Sequence, residues 1–126
     1  MKRETAKRLH DALTACQEAR VMCDGIPVDA FVADRTLQLA VQKLVENVGE
    51  SLRQAEMTDA DTIRTIPELR VVVDTRNRLI HGYDSVDFAA LWDIVQRHVP
   101  GLERQIAGLL QHYPPSAFQK SSTGQS

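Results

Sequence analysis

The sequence predicts an all-α protein, a helical bundle of four to five helices. Apolar residues recur at helical spacing along almost the whole chain, and no segment carries a convincing period-two alternation. Asp24-Gly25-Ile26-Pro27, Pro67 and Gly82 punctuate the pattern where helices would end or begin. A chain of 126 residues fits one domain, large enough to hold a core without metals or disulfides.

The first helix is expected from Lys2 to Cys23, with Leu9, Leu13, Cys16 and Ala19 or Arg20 repeating on one face. Gly25 and Pro27 stop it, the one by supplying a turn and the other by being unable to continue. The second is expected to run unbroken from Val28 to Glu56, roughly 40 Å at ~1.5 Å per residue. Leu37, Val41, Leu44, Val45, Val48 and Leu52 line its apolar face. Asp34 falls near the middle of that stripe, so its carboxylate requires a hydrogen-bonding partner or an exposed end. Thr58-Asp59-Ala60-Asp61 offers an N-cap for a short turn or helix.

The third helix is expected from Pro67 to about His81, with Gly82 at its C′ position. Asp84 or Ser85 would cap a fourth helix through His98, and Pro100 interrupts it before a fifth helix or a kinked extension over Gly101 to His112. Residues 113–126 lose periodicity and turn rich in Ser, Gln and Pro, and are expected to be a disordered tail after a domain of residues 1–112.

Composition narrows the function. With 15 Lys and Arg against 17 Asp and Glu the formal charge is −2, which excludes a surface that is basic throughout. Aromatics make up 5%, too few for a stacking platform on single-stranded nucleic acid. Any nucleic-acid contact must come from a local cluster or from two subunits pooling their charges. Met1-Lys2-Arg3-Glu4-Thr5 is charged and no apolar core follows it, and no apolar run approaches the ~20 residues of a membrane span. A cytoplasmic protein with no membrane contact is expected. Cys16 and Cys23, if on one helix, stand about 10 Å apart. A disulfide needs less than about 7 Å. With no CxxC spacing, both read as ordinary buried helix cysteines, and no metal site is expected.

One charge is out of place. On a wheel of about 100° per residue, Leu69, Val72, Val73 and Ile80 form a narrow apolar stripe with Arg76 in its middle. An unpaired guanidinium buried there would be costly. Either Arg76 belongs to a structural ion pair, with Asp34 or Glu50 as partner, or its stripe lines a cleft or subunit interface that an anion enters. Asn77 and His81 form an i,i+4 pair on the neighbouring face, and Tyr83 falls close to Arg76 if the helical geometry persists past Gly82. Arginine binds phosphate bidentately, and histidine exchanges protons near neutral pH. Spacing alone leaves a structural and a catalytic reading open.

The stretch Arg76-Asn77-Arg78-Leu79-Ile80-His81-Gly82-Tyr83 resembles the Arg-x4-His-x-Tyr signature of HEPN-domain proteins, and in its fuller wording the HepT toxin branch of type VII toxin–antitoxin pairs. Ile66-Pro67 before it, Val86-Asp87, Leu91-Trp92 and Val99-Pro100-Gly101-Leu102 after it, and Asp34 and Val48-Gly49-Glu50-Ser51 upstream are similar as well, so that residues 5 to 112 are covered. Glu68-Leu69 and Thr75 stand where many relatives carry Trp and Met. The resemblance implies an up-and-down HEPN bundle that forms a homodimer, its two motif helices flanking a shared cleft. It also implies a metal-independent endoribonuclease that needs no cofactor. In it the RNA's own 2′-hydroxyl attacks the adjacent phosphate, with His81 as general base or acid and Arg76 stabilising the phosphorane. Asn77 would be a positioning residue. Tyr83 would contact substrate and accept an adenylyl group (AMPylation) from a minimal nucleotidyltransferase antitoxin. Arg64, Arg70, Arg76 and Arg78 from two copies would supply a positive groove.

Plainer readings stand beside these. Asn77 can be a solvated helix residue, Tyr83 a phenol packed over a helix end, and Arg78 an exposed cation near a helix C-terminus as readily as a phosphate contact. Glu50 and Asp34 read as structural partners, His10, His98 and His112 as surface residues, and Phe88 and Trp92 as core or interface. The alternative functions are a non-catalytic HEPN subunit that binds nucleotide or presents substrate to a nucleotidyltransferase, and a helical dimer that only mediates interaction.

Overall fold

The first helix, α1 (Arg3–Cys23), buries Ala6, Leu9, Ala12, Cys16, Ala19 and Cys23 completely. Five of these six are alanine or cysteine, so its neighbours approach closely, while Leu13 is only partly covered. Gly25 at φ 70° turns the chain. The computed structural model describes residues 1–81 and 86–113, the side chain of residue 81 excepted.

The expected single helix from Val28 to Glu56 is two, α2 (Val28–Ala33) and α3 (Arg35–Thr58). Asp34 makes the break. Its backbone is extended (φ −108°, ψ 96°), and its Oδ1 accepts from the Leu37 amide at 3.0 Å. Gln38 Nε2 then donates to the carbonyls of Phe31 and Val32 at the end of α2, at 3.0 and 2.8 Å, the first of which also accepts from Asp34 N. The carboxylate that looked misplaced in an apolar stripe is an N-cap at a corner, and Phe31 beside it is wholly buried. Asp34→Ala is expected to cost about 1 kcal/mol in urea unfolding at neutral pH, the usual worth of such a cap; an unchanged midpoint would reject the capping role.

Asp59 caps the short α4 (Ala60–Ile63) through Thr62 N. Pro67 precedes rather than opens the next helix, α5 (Leu69–His81), because Pro67 and Glu68 form a turn in which the Leu69 amide bonds Ile66 O at 3.1 Å. Asp84 and Ser85 lie outside the described residues; α6 (Phe88–Asp93) is capped by Asp87, whose Oδ1 accepts from Ala90 N at 3.0 Å. Pro100 does not end the helix. A π-helical stretch, Ile94–His98, leads into α7 (Val99–Leu109), with Pro100 in its first turn. Proline cannot donate to the carbonyl four residues back and crowds it, and the wider π turn relieves that conflict without a stop.

The four longest helices run up and down. Thr5 and Thr58 hydroxyls share a 2.6 Å hydrogen bond, setting α1 antiparallel to α3. Glu56 meets Arg70, and Glu50 meets Arg76, so α5 runs antiparallel to α3. Arg20 pairs with Glu103 at 2.6 Å, joining α7 to α1. One cluster of the core gathers Leu9, Leu52, Ile63, Val72, Leu102 and Ile106, and a second gathers Phe31, Val41, Val45, Leu79, Leu91 and Val95. Trp92 closes the second, its Nε1 donating to Ile26 O at 2.7 Å. Gln96 Nε2 donates to Cys23 O and finishes α1.

Burial, with the Glu103 charge added, pushes the Cys16 thiol up to about 12, and burial pushes Cys23 up to about 11. Both are free and held as thiols inside the core. Tyr113 does not belong to a structureless tail: its hydroxyl donates to Met1 O at 2.6 Å, and His10 Nε2 bonds its carbonyl at 2.6 Å. The rest of the expected tail, residues 114–126, lies outside the described residues. Among the described residues no helix is long and apolar enough to cross a membrane.

Candidate active site

Arg76 stands on the inner side of α5, on the arc that also carries Leu69, Val72 and Val73, all buried. The sequence expectation for that stripe holds for these three and fails at its end. Ile80 is 40% exposed and Leu79 is the buried residue, because the second core cluster draws the last turn toward Phe31, Leu91 and Val95.

A glycine makes room for the arginine. A Cβ built on Gly49 of α3 would overlap Arg76 Cβ and lie 2.8 Å from Arg76 Cγ and 3.2 Å from the Val72 carbonyl oxygen. The two helices therefore touch backbone to stem at this level, and the Arg76 side chain is left 19% exposed. Its guanidinium is only partly engaged. Nη1 donates to Asn77 Oδ1 at 2.9 Å, Nη2 reaches Glu50 Oε2 at 3.5 Å, and the buried Nε has no partner among the described residues. Of the two partners proposed from the wheel, Glu50 is present and Asp34 is not, since Asp34 is spent on its cap.

Glu50 is held chiefly from its own helix. Arg53 grips both its oxygens, Nε to Oε1 at 2.7 Å and Nη2 to Oε2 at 3.2 Å. The Arg53 hydrogen bonds, then the nearby Arg76 and Arg53 charges, hold the Glu50 carboxyl below the usual glutamate range despite some desolvation. Because the folded value is depressed, the stabilisation is full above the unfolded value near 4.5 and is lost as pH falls through the folded one. Wild type is thus expected to exceed Glu50→Gln in stability by at most about 1 kcal/mol at neutral pH, with the gap closing below the glutamate range. Paired urea titrations from pH 7 to pH 3 measure it; a constant gap would show that ionisation of Glu50 contributes nothing.

Asn77 is exposed and ties the arginine to the far side of α5. There a cavity of about 620 Å³ opens between α5 and α6, lined by Asn77, Arg78 and Leu79 on one wall and Val86, Leu91 and Ile94 on the other. Arg78 faces this cavity, so it and Arg76 serve different surfaces of one helix. The α5 backbone is helical through His81, which keeps Asn77 and His81 in i,i+4 register. The His81 side chain and the whole of Tyr83 lie outside the described residues.

Two of the four arginines expected to supply a positive groove share one carboxylate, which cancels one of their two charges. Arg64 and Arg70 both close on Glu56, at 2.9 and 2.8 Å, near the other end of α5. They in turn depress the Glu56 carboxyl, Arg64 foremost. Among the described residues no group of three or more His, Cys, Asp or Glu is gathered as a metal site. Sequence reasoning missed the Arg53 grip on Glu50 and the Gly49 notch as physical features. The readable signals were an Arg at i+3 from a Glu, and a glycine kept inside a long apolar helix.

Known proteins place this arrangement. A Methanocaldococcus jannaschii protein provisionally named an RNase is 27% identical over 105 residues, covering 83% of this chain and 95% of its own. A Thermococcus cleftensis protein provisionally named ribonuclease HepT is 30% identical over 105 residues, covering 82% and 93%. A further relative named provisionally as an RNase, from Caldanaerobacter subterraneus, is 26% identical over 103 residues, covering 82% and 91%. No solved structure matches the chain. Residues 12–109 match the ribonuclease HepT-like family, most of the helical bundle with α5 and its Gly49 notch inside the matched region, and the chain belongs to that family.

Proposed function

We propose that the protein is a metal-independent endoribonuclease toxin whose active site is built on Arg76 and His81 in a cleft between two copies of the chain. The observation that carries this is the state of Arg76: a guanidinium fixed by packing, whose buried Nε has no partner among the described residues and whose ion pair is stretched to 3.5 Å. A guanidinium with N–H groups left to give, on the signature helix of a ribonuclease HepT-like chain, suits an anion that arrives with substrate. Ile80, exposed on the same arc, supports apolar cover from a second copy at the helix end.

In the proposed reaction the 2′-oxygen bonds to the adjacent phosphorus and the P–O5′ bond breaks, giving a 2′,3′-cyclic phosphate and a 5′-hydroxyl. His81 moves the protons, taking one from the 2′-hydroxyl or giving one to the leaving oxygen. Arg76 donates to the oxygens on which charge builds. Asn77 holds Arg76 through Nη1, and Arg78, on the α6 side of the helix, contacts the RNA backbone away from the scissile phosphate. Induction of the chain alone, against Arg76→Ala and His81→Ala, tests the reading. RNA cleavage and growth arrest are expected from wild type only; intact RNA with folded wild type, or active variants, would sink it.

Control is assigned to Tyr83. With a minimal nucleotidyltransferase antitoxin and ATP, the intact mass is expected to rise by whole adenylyl groups, and Tyr83→Phe is expected to abolish the gain. Added phosphate charge beside Arg76 would exclude RNA from the cleft. A gain that survives Tyr83→Phe would move the modification elsewhere. The second reading, a non-catalytic subunit binding nucleotide or presenting substrate to a nucleotidyltransferase, is favoured by the pairing of Arg64 and Arg70 with Glu56, which cancels one of their two charges. It predicts modification without any RNA cleavage by the free chain.

A further inference from the structure

Glu50 sits where a purely structural role leaves its arrangement unexplained. Arg53, from the same helix and three residues on, already satisfies both of its oxygens. An i,i+3 pair of this kind needs no third member. Yet Oε2 also lies 3.5 Å from Arg76 Nη2, across the interface between α3 and α5 and one residue beyond the glycine that admits the Arg76 stem. Gly49 fixes where the arginine's Cβ and Cγ lie; Asn77 Oδ1 takes one terminal nitrogen at 2.9 Å; Glu50 stands at the other. A guanidinium held at its stem and beside both terminal nitrogens has little rotational freedom left.

From this geometry we infer that Glu50 is a positioning residue of the active site, orienting the Arg76 guanidinium toward the scissile phosphate, with Arg53 holding Glu50 in place. The inference rests on the ribonuclease reading above and deepens it. The long separation matters. A short bidentate pair between Glu50 and Arg76 would spend the donors the phosphate needs, whereas Arg53 occupies the carboxylate so that it guides Arg76 without capturing it. When a phosphate arrives, Arg76 keeps the bearing that Glu50 gives it and offers the remaining N–H groups.

The test is steady-state cleavage of a defined RNA by the purified full chain, with thermal unfolding of each variant. Glu50→Ala is expected to lower kcat about ten-fold, because a misaimed transition-state donor loses rate, and to leave KM within about two-fold. Glu50→Gln, which keeps an acceptor of the same length, is expected to recover most of the loss, and Arg53→Ala to fall between. The Arg76 Nε–H resonance, identified by its absence in Arg76→Ala, is expected to shift in Glu50→Ala while the other arginine signals near α7 stay put. Wild type that leaves RNA intact would overturn the ribonuclease reading and this inference with it. An active wild type with Glu50→Ala at full kcat overturns the inference alone. So does a loss of kcat that tracks lost stability, with no rescue by glutamine and an unmoved Arg76 signal.

Discussion

Arg76→Ala is expected to lower RNA cleavage by about 10²–10³-fold, the scale on which removing one preorganised donor to a developing oxyanion acts. The stability cost should be small by comparison. Among the described residues the guanidinium makes one 2.9 Å hydrogen bond to an exposed neighbour and one stretched ion pair, and its buried Nε has no partner. Deleting it removes those contacts together with a donor that has no partner among the described residues. Glu50 is not stranded, since Arg53 keeps both its oxygens. About 1–2 kcal/mol of unfolding free energy is therefore expected to go, a pair's share and that of the stem packed at Gly49. Arg76→Lys separates the two properties of the residue. It keeps the charge but loses the planar fork, and it should restore stability more fully than activity. Cleavage assays with urea titrations on the three proteins decide the matter. An Arg76→Ala variant that unfolds readily and cleaves at the wild-type rate per folded molecule would mark the arginine as structural.

Much of this was legible in the sequence because helices are local. The limits of α1, the capped start of α4 and the run of α5 to His81 follow from spacing and punctuation within a few residues. Arg76 stood out by the same logic, as a charge on an apolar stripe. Failures came where a side chain answered to something distant or to its own backbone. Asp34 looked like one misplaced member of a long stripe because periodicity counts side chains and does not see a carboxylate bending back to Leu37 N. Ile80 and Leu79 exchanged roles because the second core cluster is built from α1, α2, α3, α6 and the π stretch, which no reading of α5 alone contains. The pairing of Arg64 and Arg70 on Glu56 spans 8 and 14 residues. It cancels one of the two charges that simple counting had credited to the groove. Gly49 was visible as a letter, but its meaning is a distance to another helix.

That distance gives the other large effect. Gly49→Ala is expected to destabilise the protein by about 2 kcal/mol, although the same change in a free helix would stabilise it by about 1 kcal/mol. The sign turns on what the new methyl meets. The added Cβ would overlap Arg76 Cβ, an atom fixed by the α5 backbone with no rotamer to escape into, and would stand 3.2 Å from the Val72 carbonyl. Relief requires α3 and α5 to part, which opens the core around Val48, Val72 and Val73. It also carries the Arg76 stem outward, so cleavage should fall further than the lost stability accounts for. Gly108→Ala is the matched control. Nothing lies within 4 Å of its added Cβ, near the end of α7, and there the ordinary helix gain of up to about 1 kcal/mol should appear. Opposite signs for the two glycines, read from urea midpoints of otherwise identical proteins, are the expected result. If Gly49→Ala is neutral or stabilising, then α3 and α5 do not meet at Arg76, and the packing that holds its guanidinium in place is wrong.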